Sequence, residues 1–278
     1  MALPSASQIK AQVELALAED IASGDLTAAL VPADKQVSAR VISRQTATIA
    51  GLPWVSEVFR QVDAGISCEF CCADGDQVNA GSILFRLTGP ARTVLAAERT
   101  ALNFLQTLSA VATQTRAYVE QVAGTGCHIL DTRKTIPGLR LAQKYAVTCG
   151  GGVNHRIGLY DAILIKENHI NAAGSIAAAL QQAQQLHAGD VEIEIEVESL
   201  DEMQQALDAG AKRLLLDNFT LDQLRQAVAV NQGRARLEAS GNVCLQTVLA
   251  IAQTGVDDIS IGALTKNIDA VDLSMLFD

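Results

Sequence analysis

Residues 191–217 read VEIEIEVESLDEMQQALDAGAKRLLLD. An apolar run from Val191 to Val197 carries Glu194 and Glu196, a helical stretch covers 201–209, and a second apolar run, Leu214 to Leu216, stops at Asp217. Strand, helix and strand at this spacing make a parallel βαβ unit. The pattern repeats outward in both directions. His128-Ile129-Leu130 ends at Asp131, Ala162 to Ile165 at Lys166, Ala235 to Ala239 at Ser240-Gly241, and Asp258 to Ile261 at Gly262. Helices are expected over 175–187, 221–230 and 243–254. Six such units fit in about 150 residues, whereas a full eight-unit barrel takes about 250. The sequence therefore predicts a short, incomplete α/β barrel. An open doubly wound sheet is the weaker alternative, because no glycine fingerprint follows a first strand.

The preceding part reads as a separate α+β unit. Residues 7–19 have the spacing of an amphipathic helix, with Ser7 as N-cap and Ile9, Val13, Ala16 and Leu17 on one face. Residues 37–44, 46–50, 66–72 and 83–87 are strand-like, and 54–62 are helical. Residues 92–122 are Ala/Leu/Val-rich and helical, expected as more than one helix, and Gly124-Thr125-Gly126 closes them. The expected domains are 1–112 and 113–278, with the C-terminal tail free to return to the first.

The chain has 278 residues, 49% of them hydrophobic, which suffices for packed cores. With 21 basic and 31 acidic residues its net charge is −10, which argues against a nucleic-acid or anionic-membrane partner. The start, MALPSASQIK, shows no secretory signal, and no apolar run approaches the ~20 residues that span a bilayer. Cys68, Cys71, Cys72, Cys127, Cys149 and Cys244 read as reduced thiols of a cytoplasmic protein. The Cys68/Cys71/Cys72 cluster lacks the second ligand pair of a zinc site and reads as thiols in or beside a strand.

Chemistry concentrates at the strand ends, where parallel barrels carry their active sites. Segment 131–169 holds six basic residues, Arg133, Lys134, Arg140, Lys144, Arg156 and Lys166, against three acidic ones, with His155 and His169 beside them. A basic island in an acidic chain suits a small anionic substrate. Arg140 and Lys144, at i and i+4, also fit ordinary salt bridging on a helix surface; Arg133-Lys134, directly after a strand, do not. Gly150-Gly151-Gly152 could cradle a phosphate but lacks the P-loop ending. Ser240-Gly241-Asn242 and Gly262-Ala263, each read as preceding a helix, offer backbone N–H groups to a terminal phosphate. Glu196 and Asp217 suit Mg²⁺ or ribose hydroxyls, or a plain salt bridge to Lys166 or Lys134. Glu194, of the same parity as Glu196, could share either role. Lys166 alone would fit a Schiff-base lyase.

Beyond these readings, the sequence closely resembles the quinolinate phosphoribosyltransferases, the carboxylating nicotinate-nucleotide pyrophosphorylases, over nearly its whole length. The blocks that carry the resemblance include Glu19-Asp20 to Gly24-Asp25-Leu26-Thr27, Glu98-Arg99-Thr100-Ala101-Leu102-Asn103, Asp131-Thr132-Arg133-Lys134-Thr135 and Asn154-His155-Arg156. Leu164 to His169, Leu216-Asp217-Asn218-Phe219, Ser240-Gly241-Asn242 and Gly262-Ala263-Leu264-Thr265 continue it in order. The resemblance implies an N-terminal α/β sandwich domain and a short TIM-like barrel, in a homodimer whose site is shared between subunits. It implies transfer of the phosphoribosyl group of phosphoribosyl pyrophosphate (PRPP) to quinolinate with Mg²⁺, giving nicotinate mononucleotide, pyrophosphate and CO₂. A nicotinate-type transferase acting on a single carboxylate is the alternative. By the same resemblance, Arg99 of the other subunit, Arg133, His155, Arg156 and Lys166 would hold quinolinate. Lys134 and Lys166 would lie near pyrophosphate, Glu196 and Asp217 would hold ribose and Mg²⁺, and Ser240, Gly241, Asn242, Gly262 and Ala263 would hold the 5′-phosphate. Many members have a histidine after Leu264-Thr265; here Lys266-Asn267 follow, and no role is assigned to them.

Overall fold

The two strands of the opening stretch are β8 (Glu192–Val197) and β9 (Arg213–Asp217), and they pair in parallel, Glu196 opposite Leu215 and Val197 opposite Leu216. They belong to a computed structural model that describes residues 3–186 and 191–278. Contacts divide the chain into two compact units: one running to Arg116 with Thr135–Gly151 and Leu264–Asp278, the other Ala117–Lys134 with Gly152–Ala263. The sequence reading sets its boundary between residues 112 and 113 and lets the C-terminal tail return to the first domain; by contacts the chain crosses between units four times.

In the second unit β8 and β9 sit in a six-stranded parallel sheet. The other members are β6 (His128–Leu130), β7 (Ala162–Ile165), β10 (Arg236–Ser240) and β11 (Asp258–Ser260). The hydrogen-bonded order is β6-β11-β10-β9-β8-β7. The ladder runs from β6 at one edge to β7 at the other without joining them, and Val153 adds an isolated parallel bridge to Leu130. The strand spacing predicts a short, incomplete α/β barrel, and these six parallel strands make up its α/β domain. Helices α5 (Glu167–Ala173), α6 (Ile176–Leu186), α7 (Leu200–Asp208), α8 (Leu221–Asn231) and α9 (Val248–Ala252) fill the crossovers. Position 187 of the helix expected over 175–187 lies outside the described residues.

The strand register sorts side chains by alternation, since successive residues point to opposite faces. Opposite one another on one face lie His128 and Leu130, Leu164, Glu194 and Glu196, Leu215 and Asp217, Glu238 and Ser240, and Asp258 and Ser260. The alternate positions, Ile129, Ile165, Ile195, Val197, Leu214, Leu216, Leu237, Ala239 and Ile259, are buried and apolar. One face of the sheet is thus largely polar and the other is the hydrophobic face that packs the crossovers. Burying each such apolar side chain contributes about 1.5–3 kcal/mol.

In the first unit, β1 (Gln36–Ser43), β3 (Ser67–Phe70), β5 (Ile83–Pro90) and β12 (Leu273–Phe277) form an antiparallel sheet ordered β12-β1-β5-β3, and β2 (Ala47–Thr48) pairs with β4 (Gln77–Val78). The C-terminal strand therefore completes the N-terminal sheet. Helix α1 (Ala6–Asp20) starts one residue earlier than the sequence reading, because Ser5 and Gln8 form a capping box in place of a Ser7 cap. Helices α1 and α2 (Leu52–Val62) pack on a core that includes Trp54, Phe59, Phe85, Leu105 and Leu108. Residues expected to form more than one helix are a single one, α3 (Ala91–Gln121). The segment has neither glycine nor proline to break it, so it runs on for about 45 Å.

Two further corrections concern residues 135–151. In α4 (Arg140–Cys149) Lys144 is fully buried, so the helix-surface salt bridge does not describe it. Gly150 caps that helix where a Cβ would lie 2.5 Å from the Ala112 carbonyl oxygen and 2.6 Å from Thr115 Cβ. The first glycine of the triplet thus serves close packing within the unit and not a phosphate cradle. Finally, the helix expected over 243–254 is only α9; Cys244 N–H donates to Thr247 Oγ1 at 3.1 Å, which turns the chain before the helix begins. The short α10 (Ala263–Lys266) follows Gly262. Among the described residues, no helix is long and apolar enough to cross a membrane.

Candidate active site

At the C-terminal ends of the parallel strands, the polar face opens into a cavity of about 300 Å³. Thr132, Arg133 and Lys134 reach it from the end of β6, His155 and Arg156 from the following loop, and Lys166 from the end of β7. Glu196, Asp217, Ser240 and Ser260 come from β8, β9, β10 and β11, and Leu164, Leu215 and Glu238 contribute from lower on their strands. Of the residues singled out in sequence, Arg133, Lys134, His155, Arg156, Lys166, Glu196, Asp217 and Ser240 are therefore together. Gly241, Asn242, Gly262 and Ala263 sit at the same strand ends without lining the cavity. Arg99 is exposed on α3 in the other unit and is not among the lining residues.

The cations crowd one another. Burial, and then the neighbouring Arg133, press the Arg156 guanidinium below its ordinary value. Like charges held this close favour an anion between them. Lys166 Nζ is ion-paired with Glu196 Oε2, and the Lys166 backbone N–H donates to His169 Nδ1 at 3.0 Å, which fixes the entry to α5. Burial, and then Glu196, raise the Asp217 carboxyl; Lys166, Lys134 and a hydrogen bond from Asn218 oppose that rise. Gly262 keeps the rim open for Lys134: a Cβ there would lie 2.8 Å from Lys134 Cδ.

Asp131 is a strand-end residue that the cavity does not use. It is fully buried and accepts the His155 N–H at 2.9 Å and Asn154 Nδ2 at 2.5 Å, which shapes the loop that presents His155 and Arg156. Glu194 is likewise not a rim residue. It is 2% exposed and lies in a charge network that fills the polar face below the cavity. Arg213 reaches Glu194 Oε1 at 3.0 Å, Glu238 Oε2 at 2.8 Å and Asp258 Oδ2 at 3.1 Å. Arg236 takes the same Asp258 with two contacts of 2.5 Å and His128 Nδ1 at 3.0 Å.

His155 closes this network from above. Its Nε2 faces Glu194 Oε2 at 2.8 Å and Glu238 Oε2 at 3.4 Å, while Nδ1 accepts the Arg156 N–H at 2.8 Å. Burial pushes the imidazole down and the two carboxylates push it up, and the carboxylates prevail. The N–H directed at Nδ1 works against the charged form and limits that rise. The His155, Glu194 and Glu238 ligand atoms lie within 4.8 Å of one another, as in a metal site. Arg213 already binds both carboxylates, so the cluster is an ion network.

Sequence reasoning missed Thr132, Leu164, Leu215, Glu238 and Ser260 in the cavity and Arg213 and Asp258 beneath it. For all of these but Thr132 the signal was parity: each lies two or four residues before a strand-end residue already recognised.

A parallel α/β sheet that gathers Arg133, Lys134, Arg156 and Lys166 around two carboxylates at its C-terminal rim defines an enzyme for small anionic substrates. The comparisons narrow this. Residues 25–109 match the quinolinate phosphoribosyl transferase N-terminal domain and residues 111–276 its C-terminal domain. A Bacillus subtilis relative, named probable nicotinate-nucleotide pyrophosphorylase (carboxylating), is 38% identical over 96% of this chain and 93% of its own. An Arabidopsis thaliana relative, the chloroplastic nicotinate-nucleotide pyrophosphorylase (carboxylating), is 40% identical over 97% and 83%. The structure of the nicotinate-nucleotide pyrophosphorylase from Francisella tularensis superposes with a TM-score of 0.97 at 46% identity, covering 99% of this chain and 98% of that one. The chain belongs to the quinolinate phosphoribosyl transferase family.

Proposed function

We propose that the protein transfers the phosphoribosyl group of PRPP to the ring nitrogen of quinolinate, releasing pyrophosphate and CO₂ and forming nicotinate mononucleotide. The observation that carries this reading is the convergence of Arg133, Lys134, Arg156 and Lys166 on one cavity that also holds Glu196 and Asp217. Quinolinate is a dianion, and PRPP brings a phosphate and a pyrophosphate. Such groups approach one another only where clustered cations offset their repulsion.

Arg133 and Arg156, with Lys166 and His155, suit the two carboxylates of quinolinate, since guanidinium forks match carboxylates in shape and charge. Lys134 and Lys166 suit the pyrophosphate. The quinolinate nitrogen lone pair forms the bond to ribose C1 as the C1–oxygen bond breaks and pyrophosphate leaves with that electron pair. Glu196 and Asp217 face the positive character that develops on the ribose. The nitrogen, now cationic, draws in the electrons of the adjacent ring-carbon–carboxylate bond; CO₂ departs and a proton from water replaces it. The protein chiefly orients the reactants and neutralises charge. Ser240, with Gly241, Asn242, Gly262 and Ala263 at adjoining strand ends, suits the 5′-phosphate.

Two carboxylates on neighbouring strand ends are hard oxygen donors of the kind Mg²⁺ takes while keeping several waters, so Glu196 and Asp217 fit that ion. Bound there, Mg²⁺ would offset pyrophosphate charge. A second copy of the chain would supply Arg99. Exposed Leu15, Leu26 and Leu30 in one unit and Leu159 and Tyr160 in the other give apolar surface for such a homodimer. Reduced thiols and an acidic surface suit the cytoplasm. A Schiff-base role for Lys166 is disfavoured by its ion pair with Glu196.

The test is an assay with PRPP, Mg²⁺ and either quinolinate or nicotinate. CO₂ released one-for-one with pyrophosphate from quinolinate supports the reading; equal or better turnover of nicotinate without CO₂ refutes it. For the shared site, mixing inactive Arg99→Ala and Lys134→Ala proteins should restore activity in hybrid dimers. No recovery after confirmed subunit exchange would remove Arg99 from the site.

A further inference from the structure

We propose that Asn218 is a positioning residue that locks Asp217 to the Ser240–Asn242 loop, so that the ribose and phosphate ends of PRPP meet one rigid surface. The inference rests on the function proposed above, and it concerns a residue that touches neither the cavity nor the reacting atoms.

The chain leaves β9 and β10 by matched left-handed turns. Asn218 has φ 57° and Asn242 φ 51°, a conformation that costs most side chains dearly and asparagine least among non-glycine residues. The Asn218 N–H donates to the Ser240 carbonyl at 2.9 Å, which carries the β9–β10 pairing one step beyond its last paired residues. The Asn218 carboxamide then works in two directions. Nδ2 donates to Asp217 Oδ2 at 2.8 Å and fixes the rotation of that carboxylate. Oδ1 accepts from Asn242 Nδ2 at 3.4 Å, across to the next strand end.

Gly241 makes this arrangement possible. At φ 103° it adopts a backbone that side chains rarely take, and a Cβ there would fall 2.2 Å from Asn218 Oδ1. The Asn218 carboxamide occupies the space that glycine leaves. A turn needing only a left-handed residue would be met equally by glycine at 218; the carboxamide is what links the acid to the loop.

Asn218 is exposed, so its removal leaves the core intact. Asn218→Gly keeps the backbone and deletes the carboxamide. Asn218→Asp keeps the shape but sets an oxygen against Asp217 in place of the N–H donor. PRPP binding is measured by calorimetry with Mg²⁺ and without quinolinate, alongside steady-state kinetics and amide hydrogen exchange. Both variants should weaken PRPP binding by about tenfold or more, the effect of one hydrogen bond to a charged group. The KM for quinolinate should stay within about twofold, and the amides of Gly241–Val243 should exchange faster in Asn218→Gly. PRPP affinity kept within about twofold in either variant, or equal losses for both substrates, overturns the proposal. Wild-type protein that binds no PRPP refutes the enzymatic reading instead; the exchange data then decide alone, and unchanged rates at Gly241–Val243 overturn the link.

Discussion

Replacing Arg213 with methionine should destabilise the protein by about 3–5 kcal/mol, the usual cost of leaving buried charge unpaired. Arg213 touches Glu194, Glu238 and Asp258 within 3.1 Å, and all three carboxylates are buried. At an effective dielectric of about 20, each charge pair near 4 Å is worth about 4 kcal/mol. Arg236 still covers Asp258 and His155 still faces Glu194 and Glu238, so the net loss is smaller than three such pairs. A loss of that size is a large part of the 5–15 kcal/mol that typically holds a protein folded. At about 2–4 °C per kcal/mol the midpoint should fall by about 10 °C. Arg213→Lys, which keeps the charge but cannot span three carboxylates, should fall between. The pH dependence follows from the carboxylates. In the native protein Glu238 lies well below its ordinary value despite burial, held there chiefly by His155 with Ser260 and Arg213. Its contribution is present above about pH 4.5 and is lost as pH falls towards 2. Burial already raises the Glu194 carboxyl in the native protein, against the opposing pull of His155 and Arg213; without Arg213 that rise is less opposed, and protonation of Glu194 relieves the variant. The gap between variant and wild type should therefore narrow from pH 7 to pH 5. Urea and thermal unfolding at several pH values measure it. A midpoint within about 2 °C of wild type at pH 7, or a gap that widens on acidification, would refute the reasoning.

Gly262→Ala should lower turnover at least about tenfold by pushing Lys134 aside while leaving the melting temperature nearly unchanged, because its Cβ meets Lys134 Cδ at 2.8 Å. Steady-state kinetics with a parallel melt separates the two effects. Gly150→Ala should instead cost about 1–3 kcal/mol in urea unfolding, since its Cβ would meet the Ala112 carbonyl oxygen at 2.5 Å. Alkylation at neutral pH, followed by mass spectrometry, should find Cys244 fast and Cys68, Cys72, Cys127 and Cys149 slow. Hydrogen bonds from Thr247 lower the Cys244 thiol, whereas burial raises Cys68, Cys72 and Cys149 to about 11 and Cys127 to about 12.

The rim was legible in the sequence because each strand there is a short apolar run that halts at one polar or tiny residue. Lys166, Asp217, Ser240 and Gly262 announce themselves that way, and their strands are β7, β9, β10 and β11. The charge network was not, because its members sit inside the runs or at their starts. Arg213 stands just before the run that begins at Leu214, Asp258 opens its own run, and Glu194 reads as sharing the role of Glu196. Only the strand order shows that Arg213, Glu194, Glu238 and Asp258 come from four adjacent strands and share one face. Gly150 was misread for a similar reason: a glycine run looks alike whether it admits a phosphate or the carbonyl of a neighbouring helix. The unbroken α3 runs well past ordinary helix lengths, which made the expectation of an interruption reasonable.

The division of the parallel strands into an oily side and a charged side separates two jobs that many proteins ask of the same residues. Ile195, Leu214, Leu216 and Leu237 lie on the buried apolar side, while their immediate neighbours along the chain face the cavity or the ion network beneath it. Reshaping the chamber for a different acid thus becomes a matter of altering every second residue, with the scaffold left as it stands.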